Sequence, residues 1–294
     1  VTVGFSTRST CRSDGAEMRP LIHRSPMPGL GLSMGITLTM LSLLVLLPIG
    51  ALLLKGASFG LANVWEVVNR PRTWAALFLS FRLSAYAALF NLAFGVLLAW
   101  VLVRYRFAGR RLLEAAIDLP FALPTAVAGI ALTTLYAPNG AFGALANELG
   151  WRIAYTQSGI FLALVFVGLP FVVRTIQPIL EETSREVEEV SATLGANRFQ
   201  TISRVLLPSL TPAILTGFAL AFARAVGEYG SVIFIAGNLP FVSEIAPLLI
   251  VIRLEEFNYA GAAVIATVML LISFAMLFLI NAIQGWSRTK YGNV

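Results

Sequence analysis

Leu180–Pro208 reads LEETSREVEEVSATLGANRFQTISRVLLP, and the fold turns on how this interval is taken. It is dense in charge, with Glu181, Glu182, Arg185, Glu186, Glu188, Glu189, Arg198 and Arg204, and it is otherwise rich in helix formers. Gly195 stands in its middle, where a glycine permits a sharp turn between two short helices. Pro208 closes it, at a position from which a following helix can begin. On either side the chain is apolar, over Gly159–Gln177 and Ala213–Ala236, each about as long as the 20 residues that cross a bilayer. The expectation is a charged helical hairpin held between two membrane spans. A merely solvated connector is the plainer reading of the same charges.

Further out, the same period of apolar runs recurs. Roughly Met34–Leu54, Leu77–Val103 and Ile117–Tyr136 precede the hairpin's flanks, and Ala262–Gln284 follows, giving six candidate spans in all. The only charges within them are Arg82, Asp118, Arg174, Arg224 and Glu228. Over the 294 residues, 57% are hydrophobic and 12% charged, about half the charge of a soluble domain. A soluble fold has no place to hide so much apolar side chain, so lipid must serve as solvent. Ten-residue alternation of the barrel kind is absent, so the spans are helices. Cys11 and His23 are the only residues of their types, too few for a zinc or haem site. A net charge of +6 in such a chain reflects basic loops on one membrane face and does not point to nucleic acid.

Those basic residues set the expected orientation. Arg8, Arg12, Arg19 and Arg24 precede the first span; Arg104, Arg106, Arg110 and Arg111 follow the second; Arg174, Arg185, Arg198 and Arg204 surround the hairpin; Arg288 and Lys290 end the chain. The opposite side holds only Lys55, Arg70, Arg72, Arg152 and Arg253. Both termini are therefore expected in the cytoplasm. A six-helix transmembrane domain is expected over 31–287, between tails at 1–30 and 288–294. The polar first 27 residues have no long apolar core and do not read as a cleavable signal peptide; Met18 and Met27 are alternative starts. Ile245–Leu254 is apolar but too short to cross, and is expected either to lie on the outer surface or to re-enter the membrane.

Within the hairpin the spacing Glu189-Val190-Ser191, three residues, Gly195, nine residues, Val205-Leu206-Leu207-Pro208 resembles the EAA loop of ABC importer permeases, E-A-A-x3-G-x9-I-x-L-P. Val190, Ser191 and Val205 depart from the letters but keep small or aliphatic side chains. Further blocks, Tyr105-Arg106-Phe107-Ala108-Gly109-Arg110, Asp118–Gly129 (DLPFALPTAVAG), Pro170–Arg174 (PFVVR) and Gly227–Asn238 (GEYGSVIFIAGN), resemble the CysT-type permeases of sulfate/thiosulfate importers. The likeness runs from about residue 30 to 285. It implies an all-α integral membrane fold, the type I (MetI-like) ABC importer permease, in the bacterial plasma (inner) membrane. It further implies a heterodimer with a CysW-like permease, two CysA-like ATPase subunits, and an extracytoplasmic sulfate/thiosulfate-binding protein. The expected cargo is sulfate, with thiosulfate beside it. A molybdate/tungstate or other oxyanion permease is the nearest alternative, and a secondary transporter a more distant one.

No cofactor is expected on this chain; ATP and Mg belong to the ATPase. A phosphate-cradling P-loop needs lysine followed by serine or threonine, whereas Lys55 precedes Gly56 and Lys290 precedes Tyr291. The chain is accordingly expected not to be an enzyme. The resemblance makes Glu189, Val190, Ser191, Gly195, Val205, Leu207 and Pro208 the expected ATPase-coupling residues. Arg224 and Glu228, an i,i+4 pair deep in the fifth span, are expected to line either the anion path or the contact with the second permease. Pro120 and Pro124 remove two backbone donors from the third span. With Thr125, they are expected to line the route or to mark a packing kink.

Overall fold

The computed structural model describes residues 30–291. The expectations for the N-terminal tail, with Cys11, His23, Met18 and Met27, and for the last three residues lie outside the described residues. Among the described residues all regular structure is helical. In chain order the helices are α1 (Leu30–Leu41), α2 (Leu47–Ala57), α3 (Leu61–Asn69), α4 (Pro71–Arg104), α5 (Arg110–Ala122), α6 (Thr125–Tyr136) and α7 (Ala141–Glu148). There follow α8 (Gln157–Glu182), α9 (Arg185–Thr193), α10 (Arg198–Thr201), α11 (Leu207–Val226), α12 (Val232–Ile235), α13 (Ala246–Glu255) and α14 (Tyr259–Tyr291). A π-helical turn, Ser42–Leu46, joins α1 to α2, and another, Ile202–Leu206, joins α10 to α11.

Among the described residues five helices are long and apolar enough to cross a membrane: Gly31–Ala57, Pro71–Arg104, Gln157–Glu182, Arg198–Val226 and Tyr259–Gly285. A sixth crossing exists if α5 and α6, bent by 116° to one another, are taken together. The chain divides after Gly50 into two units; of the first, the described part is apolar helix. In the second unit α4, α8 and α11 pack on one another and carry the core. Ala87, Ala88, Ala99, Ala163 and Ala221 are fully buried there. A Cβ on Gly95 would lie 2.7 Å from Val172 Cγ1, and one on Gly217 would lie 3.4 Å from Val172 Cα. In lipid no hydrophobic effect draws helices together, so small residues that let backbones approach supply the attraction through van der Waals contact.

Three boundaries differ from the sequence expectation, each for a local reason. The third span, expected as Ile117–Tyr136 with a proline kink, is two helices: α5 starts earlier, at Arg110, and ends at Ala122. Leu123, ahead of Pro124, is extended with ψ 134, as the pre-proline position favours. Pro120 is accommodated in the last turn of α5, and Pro124 becomes the N-cap of α6. The fifth span, expected as Ala213–Ala236, begins at Arg198 and stops at Val226. Pro208 stands in the first turn of α11, as expected, but the helical run reaches back beyond it. The helix passes through it by way of the preceding π turn, in which Leu207 N–H reaches back to Ile202 O. Gly227 ends it, and only the short α12 returns to helical geometry. The segment Ile245–Leu254 becomes α13, which buries Leu248 and Leu249 against α4 and α14 and so belongs to the bundle.

Candidate functional site

The hairpin is built from its caps. Ser184 Oγ accepts the Glu186 N–H at 3.1 Å and starts α9. At its other end the N–H groups of Gly195 and Ala196 bond back to Ala192 O and Ser191 O, each at 3.0 Å. Gly195 adopts φ +82, a left-handed conformation that a Cβ would strain. Asn197 and Gln200 form a reciprocal capping box at 2.8 and 2.9 Å, so α10 starts three residues after Gly195. Both sides of the bend are thereby fixed.

The expected coupling residues divide. Glu189 and Val190 are exposed on α9, whereas Ser191 is buried and its hydroxyl donates to Val187 O at 2.7 Å. Val205 and Pro208 are half-buried and Leu207 is exposed, on the helical run that leads into α11. Two residues that sequence reasoning passed over stand out at the tip: Leu194 is 83% exposed and Phe199 77%. Their signal in the sequence is an apolar residue on each side of Gly195 within a charge-dense interval.

Arg104, previously one basic residue among many, clamps this hairpin. Its side chain is only 9% exposed, and its Nη2 lies 2.7 Å from Glu188 Oε1. Nη2 also donates to Thr183 O at 3.1 Å, while Arg185 Nη2 donates to Arg104 O at 2.9 Å. The guanidinium rests over the Trp100 ring, 5.6 Å from its centroid. The end of α4 and the start of α9 therefore hold each other in both directions. Nearby, Arg174 of α8 forks onto Asp118 of α5, with Nε donating to Oδ1 at 2.8 Å and Nη2 paired with Oδ2. Arg174 also donates to Gln177 Oε1 at 2.9 Å, and Gln177 to Glu181 Oε1 at 3.0 Å. This chain of polar groups fastens α5 to α8.

The second region lies where the breaks in the third and fifth spans meet. Arg224 occupies the last turn of α11, about 26 Å from Leu207 by helical rise, rather than the middle of a span. Its Nη1 is 2.5 Å from Glu228 Oε2. Glu228 is 2% exposed, and its other oxygen accepts both Ser231 N–H and Ser231 Oγ–H at 2.8 Å. The carboxylate thus has partners on both oxygens, while Arg224, 30% exposed, is the member that reaches outward. Thr125 at the start of α6 packs over Gly230. A Cβ on Gly129 would fall 2.5 Å from Ser231 O and 2.7 Å from its Cα. The fold brings Pro124, Thr125, Arg224 and Glu228 to this junction; Pro120 stays one turn back, beside Phe121, whose ring meets Phe171 edge-on at 5.0 Å.

Residues 91–291 match the family described as "binding-protein-dependent transport system inner membrane component", a span that contains the hairpin and the junction. The chain belongs to this family. The inner membrane component is 51% identical over 257 residues to the probable sulfate transport system permease protein cysT of Nephroselmis olivacea, covering 87% of this chain and 90% of that one. It is 47% identical over 261 residues to the sulfate transport system permease protein CysT of Escherichia coli K12, covering 89% and 94% respectively. Among solved structures it superposes on a chain of a bacterial alginate ABC transporter, in complex with its alginate-bound periplasmic protein, with TM-score 0.73. The identity is 15%, covering 86% of this chain and 92% of that one. On the MetNI methionine ABC transporter the TM-score is 0.56 at 16% identity, with 74% and 99% covered. At such identities the likeness speaks for the fold alone, that of type I importer permeases.

Proposed function

We propose that this chain is the permease subunit of an ATP-driven importer that carries sulfate, and thiosulfate as a related dianion, across the bacterial inner membrane with both termini in the cytoplasm. The sulfate reading rests on the two relatives above, both sulfate permeases by name. The coupling reading is carried by one observation: a rigid hairpin exposes Leu194 and Phe199 at its tip while Arg104 ties its base to α4. Exposed apolar residues beside a fixed turn suit burial against a second protein, here a CysA-like ATPase that holds ATP and Mg. Two such ATPases, a CysW-like permease and an extracytoplasmic sulfate-binding protein complete the assembly.

The mechanism follows from continuity. From Arg198 to Val226 the helix is unbroken over 29 residues, about 43 Å. It connects the coupling hairpin to Arg224, Glu228 and the break in the third span. A push at Leu194 and Phe199 therefore reaches the junction through a stiff rod rather than a linker, and packed junctions of this kind switch between discrete arrangements. Arg224, with Glu228 moderating its charge, offers the anion a cation at the broken spans, as intramembrane charges facing a route do. ATP binding then shifts the population between inward- and outward-open states. The test is sulfate accumulation by the reconstituted complex: it should require a competent ATPase and an intact hairpin. Equal accumulation with an ATPase-dead partner, or with residues 185–201 deleted, would overturn the reading.

A further inference from the structure

A cleft of about 540 Å³ opens between the last turn of α4 and the hairpin. Its walls include Trp100, Arg104, Arg185, Glu189, Arg198 and Leu206. The charges there do not balance. Glu188, also on the wall, is engaged by Arg104. Among the described residues Arg185 bonds only a neutral carbonyl, that of Arg104. Among the described residues Arg198 has neither an ion pair nor a side-chain acceptor, and Glu189, four residues after Arg185 on α9, is the one carboxylate on the wall without an ion pair of its own. Arg104 adds a second anomaly: in a side chain more than nine-tenths buried, Nε has no hydrogen-bond acceptor among the described residues. Glu188 Oε1 also completes no aligned hydrogen bond, although it lies 2.7 Å from Arg104 Nη2. A buried donor without an acceptor is uncommon, and here it marks the end of α4 as a place where positive charge is incompletely satisfied.

We propose that this cleft binds a tetrahedral oxyanion, either free sulfate or phosphate or the phosphate of an anionic lipid headgroup. Guanidinium groups suit such oxyanions because their forked donors match the oxygens. Arg185 and Arg198, both exposed, supply two forks, and Arg104 behind them adds positive charge. Trp100 and Leu206 give the cleft an apolar wall beside the last turn of α4, which suits the glycerol and acyl part of a lipid as well as a free ion. An oxyanion at this place bridges Arg185 of α9 and Arg198 of α10 and so sets how firmly the two arms of the hairpin are held together. Binding itself needs no ATPase; only its consequence for the hairpin rests on the coupling role proposed above.

The experiment uses the full chain in vesicles without any ATPase, following hydrogen exchange over residues 185–201. Phosphatidylcholine vesicles are given sodium sulfate or, at matched ionic strength, sodium chloride; a second set contains phosphatidylglycerol. With an oxyanion at about ten times its dissociation constant, exchange in the hairpin should slow about tenfold. Slowing by sulfate in phosphatidylcholine assigns the site to the free ion. Slowing by phosphatidylglycerol, with no further effect of sulfate, assigns it to lipid. In either case Arg198→Gln, which removes no hydrogen bond or ion pair among the described residues, should abolish the effect while the unliganded exchange pattern stays that of the parent; Arg185→Gln, read against its own unliganded pattern because it also loses the bond to Arg104 O, should abolish it too. No slowing beyond chloride in both vesicle types, or slowing that survives both substitutions, overturns the proposal and leaves the ATPase-docking reading untouched.

Discussion

Gly195 and Gly129 both mark turning points, and they need glycine for opposite reasons. Gly195 has φ +82 and no heavy atom within 4 Å of where a Cβ would stand. Gly129 has an ordinary helical backbone but faces Ser231, with a Cβ only 2.5 Å from its carbonyl oxygen. The hairpin therefore uses glycine for conformation in open space; the junction uses it for proximity. A conformational glycine is replaceable at a modest, local cost. A proximity glycine is not, because the neighbouring atoms are backbone and cannot rotate away.

That contrast can be broken by substitution. The largest effect is expected at the junction: Gly129→Ala must displace Ser231, the residue that satisfies Glu228, at a cost of about 1–3 kcal/mol from overpacking alone. Sulfate uptake by the complex should fall steeply, and the thermal midpoint of the purified chain should drop. A fully active, equally stable Gly129→Ala protein would show that the two breaks do not touch as described. Next comes the tip of the hairpin. Gly195→Ala should cost about 1–2 kcal/mol for a left-handed residue bearing a Cβ, and Gly195→Asn less, since asparagine tolerates that conformation. Urea unfolding monitored on the purified chain would rank them, and an alanine effect at Gly195 as large as that at Gly129 would erase the distinction. The smallest effect is at the clamp at the base. Glu188→Gln leaves Arg104, nine-tenths buried, without its counter-charge, a loss of about 1 kcal/mol because Glu188 itself is partly in solvent. A double-mutant cycle with Arg104→Gln should recover most of it; additive losses would remove the clamp.

How far these regions were legible differs in the same way. Ser184, Gly195, Asn197 and Gln200 act through neighbours three or four residues away, so the hairpin's caps and bend are written in local spacing. The break at Pro124 is likewise local, because a proline constrains the residue before it. Its size was not legible: two prolines suggested a kink, and whether the chain bends slightly or by 116° depends on what α6 can pack against. The answer is α12 and the Gly227–Ser231 turn, which lie about a hundred residues further along. The end of α11 misled for a related reason. Apolar composition continues to Ala236, and hydropathy reports the solvent, not the hydrogen bonds. Arg104 was invisible as a clamp because Thr183 and Glu188, its partners, are distant in the chain.

From composition and period alone came the class of solvent, the approximate spans and the charged bend between the fourth and fifth, since each follows from residues acting on their immediate neighbours or on lipid. The close seating of Gly129 on Ser231, the two-sided satisfaction of Glu228 and the hold of Arg104 on α9 were decided only in three dimensions. Each joins segments whose separation along the chain carries no information about whether their atoms will meet.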